Sequence, residues 1–436
     1  MKNNKEYDTN TEQVTLTWAD TFKVWCRIGL LSFGGPAAQI ALMHREIVQE
    51  KAWLSEKQYL SALSFCMLLP GPEAMQLATY TGWRLQGTLG GLLAGLLFII
   101  PGACVVLGLA IVYYLFGDVP MFNAFFIGVK ATVIVIVLQA LKRIAERSLV
   151  NIQYWVIAIL AFIGIYFLAV PFPIIILIAA ILGSLRPNQL EKNYPYNRSR
   201  RPAFHTVLIG FLWLSIWWFP LVILYFLMPE SLLVDLGLFF SKLAVVTFGG
   251  AYAVLSYMAQ DVVTHYGWLT AKEMMDGLGL AETTPGPLIL VTEFVGFFAA
   301  AKNGGLGLGL AGAMISLWAT FVPCFLWIFS CAPYIESIAC QPRLNGALSA
   351  ITAAVVGVIC NLSVWFALHS LFQTVNLHQY QFVFLWLPDI TTIDWIMLIL
   401  IMLNAIFLFR YRFNIMLLLL VSSCAGVLFS LMARSM

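Results

Sequence analysis

The sequence predicts an all-α polytopic membrane protein: two homologous units in inverted topology, with broken or re-entrant helices and about 9 to 13 spans. Three observations carry this. Of the 436 residues, 61% are hydrophobic and only 10% charged, with a mean hydropathy of +0.88, a composition that a water-soluble globule does not have. The stretch from Phe33-Gly34-Gly35 to Pro70-Gly71-Pro72 recurs without a gap 215 residues later, from Phe248-Gly249-Gly250 to Pro285-Gly286-Pro287, and 13 of the 40 paired positions are identical. Lys and Arg are also distributed oppositely in the matching loops of the two copies.

The apolar segments 87–116, 119–141, 151–169, 171–185, 204–228, 304–333, 344–368, 394–409 and 412–432 mostly approach the ~20 residues that a spanning helix needs. They divide the chain into a first membrane repeat (1–187), a basic cytoplasmic linker (188–203), a topology-inverting span (204–228) and a second membrane repeat (229–436). With seven extra residues allowed near Lys302 to Gly309, the repeat extends further: Pro101 matches Pro323, Pro120 matches Pro342, Asn123 matches Asn345 and Gln139 matches Asn361. The first 20 residues are polar and of mixed charge, unlike a secretory signal. The eight cysteines form no CxxC pair and read as small buried hydrophobes. Neither a metal nor a cofactor is expected. A net charge of +3 gives no reason to expect nucleic acid, so the lipid bilayer is the expected macroscopic partner, with homo-oligomerisation left open.

Cytoplasmic loops carry an excess of Lys and Arg. The linker with Arg186, Lys192, Arg198, Arg200 and Arg201 and the loop with Lys142, Arg143 and Arg147 are therefore both expected inside. The stretch 364–393, which matches the latter loop in the second unit, has no Lys or Arg and is expected outside. Likewise the uncharged turn 170–173 belongs outside and its counterpart, with Arg410 and Arg412, inside. Inversion requires an even number of crossings between residues 24 and 141. Two crossings give the low end of the range, with segments 24–43 and 58–83 entering and leaving on one side; four give the high end.

Glycine and proline at matched places mark helix breaks, and a break inside the protein creates a helix start whose free N–H groups and dipole favour an anion. The candidate substrate-binding residues follow: Gly34, Gly35, Gly249 and Gly250 at the Phe-Gly-Gly breaks, and Gly71, Pro72, Gly286 and Pro287 at the Pro-Gly-Pro breaks. Ser32, its counterpart Thr247, and Thr283 and Thr284 are candidate hydroxyl donors. Arg27 and its counterpart Lys242 are candidate cations, because a charge within a span faces a cavity, a partner or the interface. Glu73 aligns with Leu288 and Glu282 with Met67; these unmatched carboxylates are candidates for proton coupling or for neutralising the cations. Lys130 aligns with Thr352 and is a weaker ligand candidate.

The string from Phe33 to Glu46, followed by Leu69-Pro-Gly-Pro-Glu-Ala-Met-Gln-Leu-Ala-Thr-Tyr80, strongly resembles the chromate ion transporter family in its long-chain, two-domain form. Phe248 to Gln260, Tyr266 to Thr270, Gly277 to Pro287 and Thr320 to Phe329 are similar to that family's carboxy-terminal half. The resemblance implies efflux of chromate across the bacterial inner (plasma) membrane, conferring chromate resistance, with sulfate as a structural mimic. The alternative is a sulfate- or molybdate-type oxyanion carrier. An intramembrane enzyme is disfavoured, since no nucleophile, base and orienting group recur at a suitable spacing.

Overall fold

In a bilayer every backbone N–H and C=O must find its partner within the protein, which makes helices of the apolar runs. The computed structural model describes residues 16–117, 119–185, 203–248, 250–334, 341–381 and 383–435. The linker cations Arg186 to Arg201 and the candidate Gly249 lie outside them. The first unit contains α1 (Trp18–Leu31), α2 (Gly35–His44), α3 (Glu56–Cys66), α4 (Glu73–Phe116), α5 (Pro120–Ser148), α6 (Ile152–Tyr166) and α7 (Phe172–Ser184). Then comes α8 (Ala203–Leu227). The second unit contains α9 (Leu232–Val246), α10 (Ala251–Gln260), α11 (Ala271–Thr283), α12 (Val291–Cys331), α13 (Pro342–Leu371), α14 (Trp395–Ala405) and α15 (Ile415–Ser435).

Among the described residues 5 helices are long and apolar enough to cross a membrane, and four more are apolar but shorter. Together they cover the nine expected segments. The expected spans 151–169 and 171–185 are helices of 15 and 13 residues, short of the length a full crossing takes. Helix α8 lies at the periphery, docking where Trp318 donates to the Trp217 carbonyl and Trp213 stacks on Phe325.

The repeat is visible in the backbone bonds. A capping box, in which a side chain and a backbone N–H satisfy each other, starts both α3 (Ser55 with Gln58) and α11 (Thr270 with Glu273). A π-turn follows both α2 (Arg45–Glu50) and α10 (Asp261–His265). Behind these turns the Trp53 N–H bonds to the Ile47 carbonyl and the Trp268 N–H to that of Val262. Pro120 and Pro342 both stand in the first turn of their helices, where the missing N–H costs nothing.

Helices α1 to α3 and α9 to α11 contain 10 to 15 residues, or roughly 15–22 Å, which is less than the ~30 Å hydrocarbon core. They fold back rather than continue. Arg27 near the end of α1 reaches Glu46 and Glu50 beyond α2, and His44 at the end of α2 meets Glu56 at the start of α3. In the second unit, Phe239 of α9 packs against Tyr257, Tyr266 and Trp268.

The 44-residue α4 and 41-residue α12 are each two helices. At Gln86-Gly87 and again at Gly304-Gly305 the backbone leaves the helical region, with φ of 68° at Gly87 and 76° at Gly305. The arms then run antiparallel in near backbone contact. A Cβ at Gly90 would lie 2.5 Å from the Gly82 carbonyl oxygen, and one at Gly312 would collide with that of Gly296. Small residues permit this approach, and dispersion between the arms holds them in a medium without a hydrophobic drive between helices.

One short non-helical element accompanies the helices. Residues 375–388 form an antiparallel hairpin, β1 (Val375–Tyr380) and β2 (Val383–Pro388), in register Val375↔Pro388 through Tyr380↔Val383. An isolated two-stranded hairpin is marginal in water. Here docking supports it: the Phe384 N–H bonds to the Phe167 carbonyl at 2.7 Å, and Trp386 meets the His369 ring.

The arm contacts predict a steep dependence on side-chain size. Gly296→Val places a Cβ in collision with Ser316 Oγ and 2.6 Å from the Gly312 carbonyl oxygen, so it should cost at least about 1–3 kcal/mol and lower the thermal midpoint of the detergent-solubilised protein. Gly307→Ala, with open space around the new methyl, should lower it not at all.

Candidate anion site at the crossed helix breaks

Each Pro-Gly-Pro break is completed by the other unit. The Gly71 N–H donates to the Thr247 carbonyl at 2.9 Å, and the Gly286 N–H donates to the Ser32 carbonyl at 2.8 Å. Gly71 and Gly286 are one repeat apart, as are Ser32 and Thr247, so the two bonds form a reciprocal pair. Both glycines have positive φ, 125° and 94°, which a side chain would oppose. Glutamines satisfy the neighbouring carbonyls: Gln76 Nε2 donates to Pro70 at 2.7 Å and Gln39 Nε2 to Gly286 at 2.6 Å.

The Phe-Gly-Gly breaks start helices beside a cavity. Gly34 caps α2 with φ of 87°, and Gly250 caps α10 with φ of 100°. Residues 34–37 and 250–252 line one cavity of about 440 Å³, so two helix starts face a shared space. Glu73 and Glu282 enter it from the two Pro-Gly-Pro elements. Glu282 accepts from the Tyr252 hydroxyl at 2.9 Å, and a Cβ on Gly250 would lie 3.5 Å from Glu73 Oε1. The opposite wall is a stripe of α5: Ile136, Gln139, Ala140, Arg143 and Arg147 at helical spacing. A larger vestibule of about 990 Å³ shares Gly34, Gln139, Arg143 and Glu282 with it and adds Lys142, Arg412 and Glu146, the last 3.9 Å from the Lys142 ammonium.

Chemically this is an electropositive mouth leading to two helix starts and two carboxylates. Guanidinium groups grip oxyanions with several N–H donors, and helix starts add backbone donors and partial positive charge. The volume corresponds to on the order of ten water molecules, enough for a five-atom oxyanion with part of its hydration shell.

The chromate transporter family profile matches residues 19–184 and 234–427, one match in each unit. The chain belongs to that family. It is 32% identical to the chromate transport protein of Pseudomonas aeruginosa over 363 residues, covering 81% of this chain and 83% of that protein. It is 31% identical to the probable chromate transport protein of Synechococcus elongatus over 352 residues (79% and 83%), and 29% identical to the chromate transport protein of Cupriavidus metallidurans over 363 residues (82% and 84%). No solved structure matches it.

Within this chromate transporter fold, the residues singled out from sequence separate into groups. Gly34, Gly35, Gly250, Glu73 and Glu282 meet at the cavity. Gly71, Pro72, Gly286 and Pro287 stand behind it; the two glycine N–H groups are already bonded, and Pro72 and Pro287 are helix caps. The hydroxyls of Ser32, Thr247, Thr283 and Thr284 each donate to a carbonyl of their own helix. Arg27 is half-exposed and paired with Glu46, 3.4 Å away. Lys242 is exposed, with its Nζ 5.5 Å from the centre of the Tyr257 ring. Neither cation is among the residues lining the cavity.

The cations that do line it, Arg143 and Arg147, were legible only as loop charges. Their four-residue spacing after Gln139 was the available signal. At the corresponding places the second unit has Trp365 and His369, whose tilted rings have centres 4.2 Å apart.

The cross-unit caps predict a stability effect away from the cavity. Gln39→Leu leaves the Gly286 carbonyl without its 2.6 Å side-chain donor, an expected loss of about 1–3 kcal/mol measurable by thermal unfolding in detergent.

Proposed function

We propose that this protein exports chromate, or a closely related divalent oxyanion, from the cytoplasm of a bacterium across its inner membrane, and so confers chromate resistance. The observation that carries the reading is the shared cavity, where Arg143 and Arg147 face two helix starts contributed by the two units. The names of the relatives from Pseudomonas aeruginosa and Cupriavidus metallidurans support chromate as the cargo.

The units are read as inverted. Leu16 and Gln86 share one end of the molecule, while Tyr114 meets Ala301 and Asn123 meets Lys272 at the other. On this reading α1 to α3 with the first arm of α4 dip in from the first end, and α9 to α11 with the first arm of α12 dip in from the second. That corresponds to two crossings between residues 24 and 141. The vestibule gathers the basic segments around Lys142 and Arg412, which the distribution of Lys and Arg assigns to the cytoplasm. The state described is accordingly inward-facing, and exchange of conformation between the units would expose the site outside.

The membrane potential and/or the proton gradient drives export. A dianion leaving a negative interior gains about 4.6 kcal/mol per 100 mV. Glu73 and Glu282 provide the place where protons would couple, because an ionised carboxylate repels the dianion and a protonated one does not.

Three results test this. Arg143→Ala and Arg147→Ala should each weaken chromate binding on the order of 10- to 100-fold, the equivalent of about 1.5–3 kcal/mol for a charge-assisted hydrogen bond; Arg27→Ala should change it little, and the reverse pattern would remove the α5 arginines from the site. Glu73→Gln and Glu282→Gln should tighten binding and flatten its dependence on pH, whereas the unmodified protein should bind more tightly as pH falls. Cysteines introduced at Ala145 and Tyr380 should react with impermeant thiol reagents from opposite membrane faces; labelling from one face would end the inverted arrangement.

A further inference from the structure

Beyond the cavity lies a buried charge cluster to which the site just described gives no role. Lys130 Nζ of α5 is 3.3 Å from Asp276 Oδ1 of α11, with the side chains 7% and 1% exposed. Asp276 Oδ2 accepts from the Tyr113 hydroxyl at 2.8 Å, and Oδ1 faces the ammonium. Tyr113 is itself enclosed edge-on by Phe126, Phe294 and Phe298. A buried ion pair is a poor way to stabilise a core that apolar side chains would fill as well, so its presence suggests another use.

Its position supplies one. The helices that carry the pair also line the cavity, at Ile136 and Glu282, each six residues further along, or about 9 Å. Alongside the pair α11 presses on α5: a Cβ at Gly279 would collide with Val129 Cγ1, next to Lys130, and lie 3.4 Å from Val133 Cγ2, on the side towards the cavity. On the far side, Lys272 reaches Asn123 at the opposite end of the molecule. Lys130 therefore sits past a seal, on the continuation of the same α5–α11 seam. The repeat alignment pairs Lys130 with Thr352, and Thr352 lines the open cavity.

We propose that Lys130 is the cationic residue of a second, outward-facing station for a divalent tetrahedral oxyanion, closed in this state by Asp276 and by the Gly279–Val129 contact. Asp276 occupies the place on the ammonium that the oxyanion takes when the two units exchange conformations. The inference rests on the inward cavity being the loading site.

The test measures equilibrium binding and flux of radiolabelled chromate with the full-length protein in proteoliposomes. Lys130→Met, and the double variant Lys130→Met/Asp276→Asn, which leaves no uncompensated charge, should bind chromate within roughly twofold of the unmodified protein yet transport it at least about tenfold more slowly. Lys130→Arg should keep most of the flux. A double variant that transports normally would reduce the pair to a structural contact and overturn the proposal, as would binding that falls in step with flux. If the unmodified protein binds neither chromate nor sulfate, the cavity reading itself fails, and that result differs from every outcome in which binding survives and flux is the readout.

Discussion

A helix interrupted inside a bilayer leaves backbone groups that water cannot satisfy, and this constraint organises the molecule. The chain has four such interruptions near its centre, two in each unit. The Pro-Gly-Pro breaks are satisfied reciprocally, Gly71 by Thr247 and Gly286 by Ser32. Neither unit can complete its own centre. Duplication is therefore part of the architecture, and each bond joins a break of one unit to the chain entering a break of the other.

The division of labour between the two kinds of break follows from geometry. Proline on both sides of Gly71 and Gly286 removes two N–H groups, and the remaining one is used across the unit boundary. Such an element is a rigid joint with no donor left for a solute. The Phe-Gly-Gly breaks lack that bracket, and their glycines reach conformations that bring backbone close to a cavity. Glu73 follows one rigid joint and Glu282 precedes the other; the Glu73 carboxylate lies against the Gly250 helix start of the second unit, and that of Glu282 accepts from Tyr252 in its own unit. Bonded joints and cavity-facing helix starts are thus separated by a single feature of local sequence, proline on both sides of a glycine.

Much of this was legible in the sequence. The ungapped 40-residue repeat located all four breaks, and the nine apolar segments correspond to nine helical regions of the structure. What the sequence concealed has physical reasons. The reversals at Gln86-Gly87 and Gly304-Gly305 lie at the starts of the apolar segments 87–116 and 304–333, where a glycine reads equally as close packing. Arg27 and Lys242 stood out because they are matched across the repeat, yet matching also preserves structural contacts: Arg27 pairs with Glu46, and Asp261 is Glu46's counterpart near Lys242. Arg143 and Arg147 have no cationic counterparts, so a search for symmetric ligands passed them by. The β1–β2 hairpin falls in a loop where only the start of β1 alternates, while Val383–Pro388 is a continuous apolar run that does not stand out as a strand from the surrounding hydropathy.

The departures from symmetry matter more for function than the symmetry itself. Arg143 and Arg147 line the mouth of the cavity, and at the repeat-matched places the second unit has Trp365 beside His369, with ring centres 4.2 Å apart. A cationic mouth raises the local concentration of anions and the rate of their capture. It cannot set the equilibrium across the membrane, because a carrier returns to the same state after each cycle and only the gradients and the potential do net work. What asymmetric linings can do is favour loading on one side and release on the other at the concentrations found there. A strong inward grip combined with a single lysine, competed for by its own aspartate, on the opposite path would give tight capture and weak retention. That combination requires no difference in fold between the two halves, only different side chains on equivalent helices.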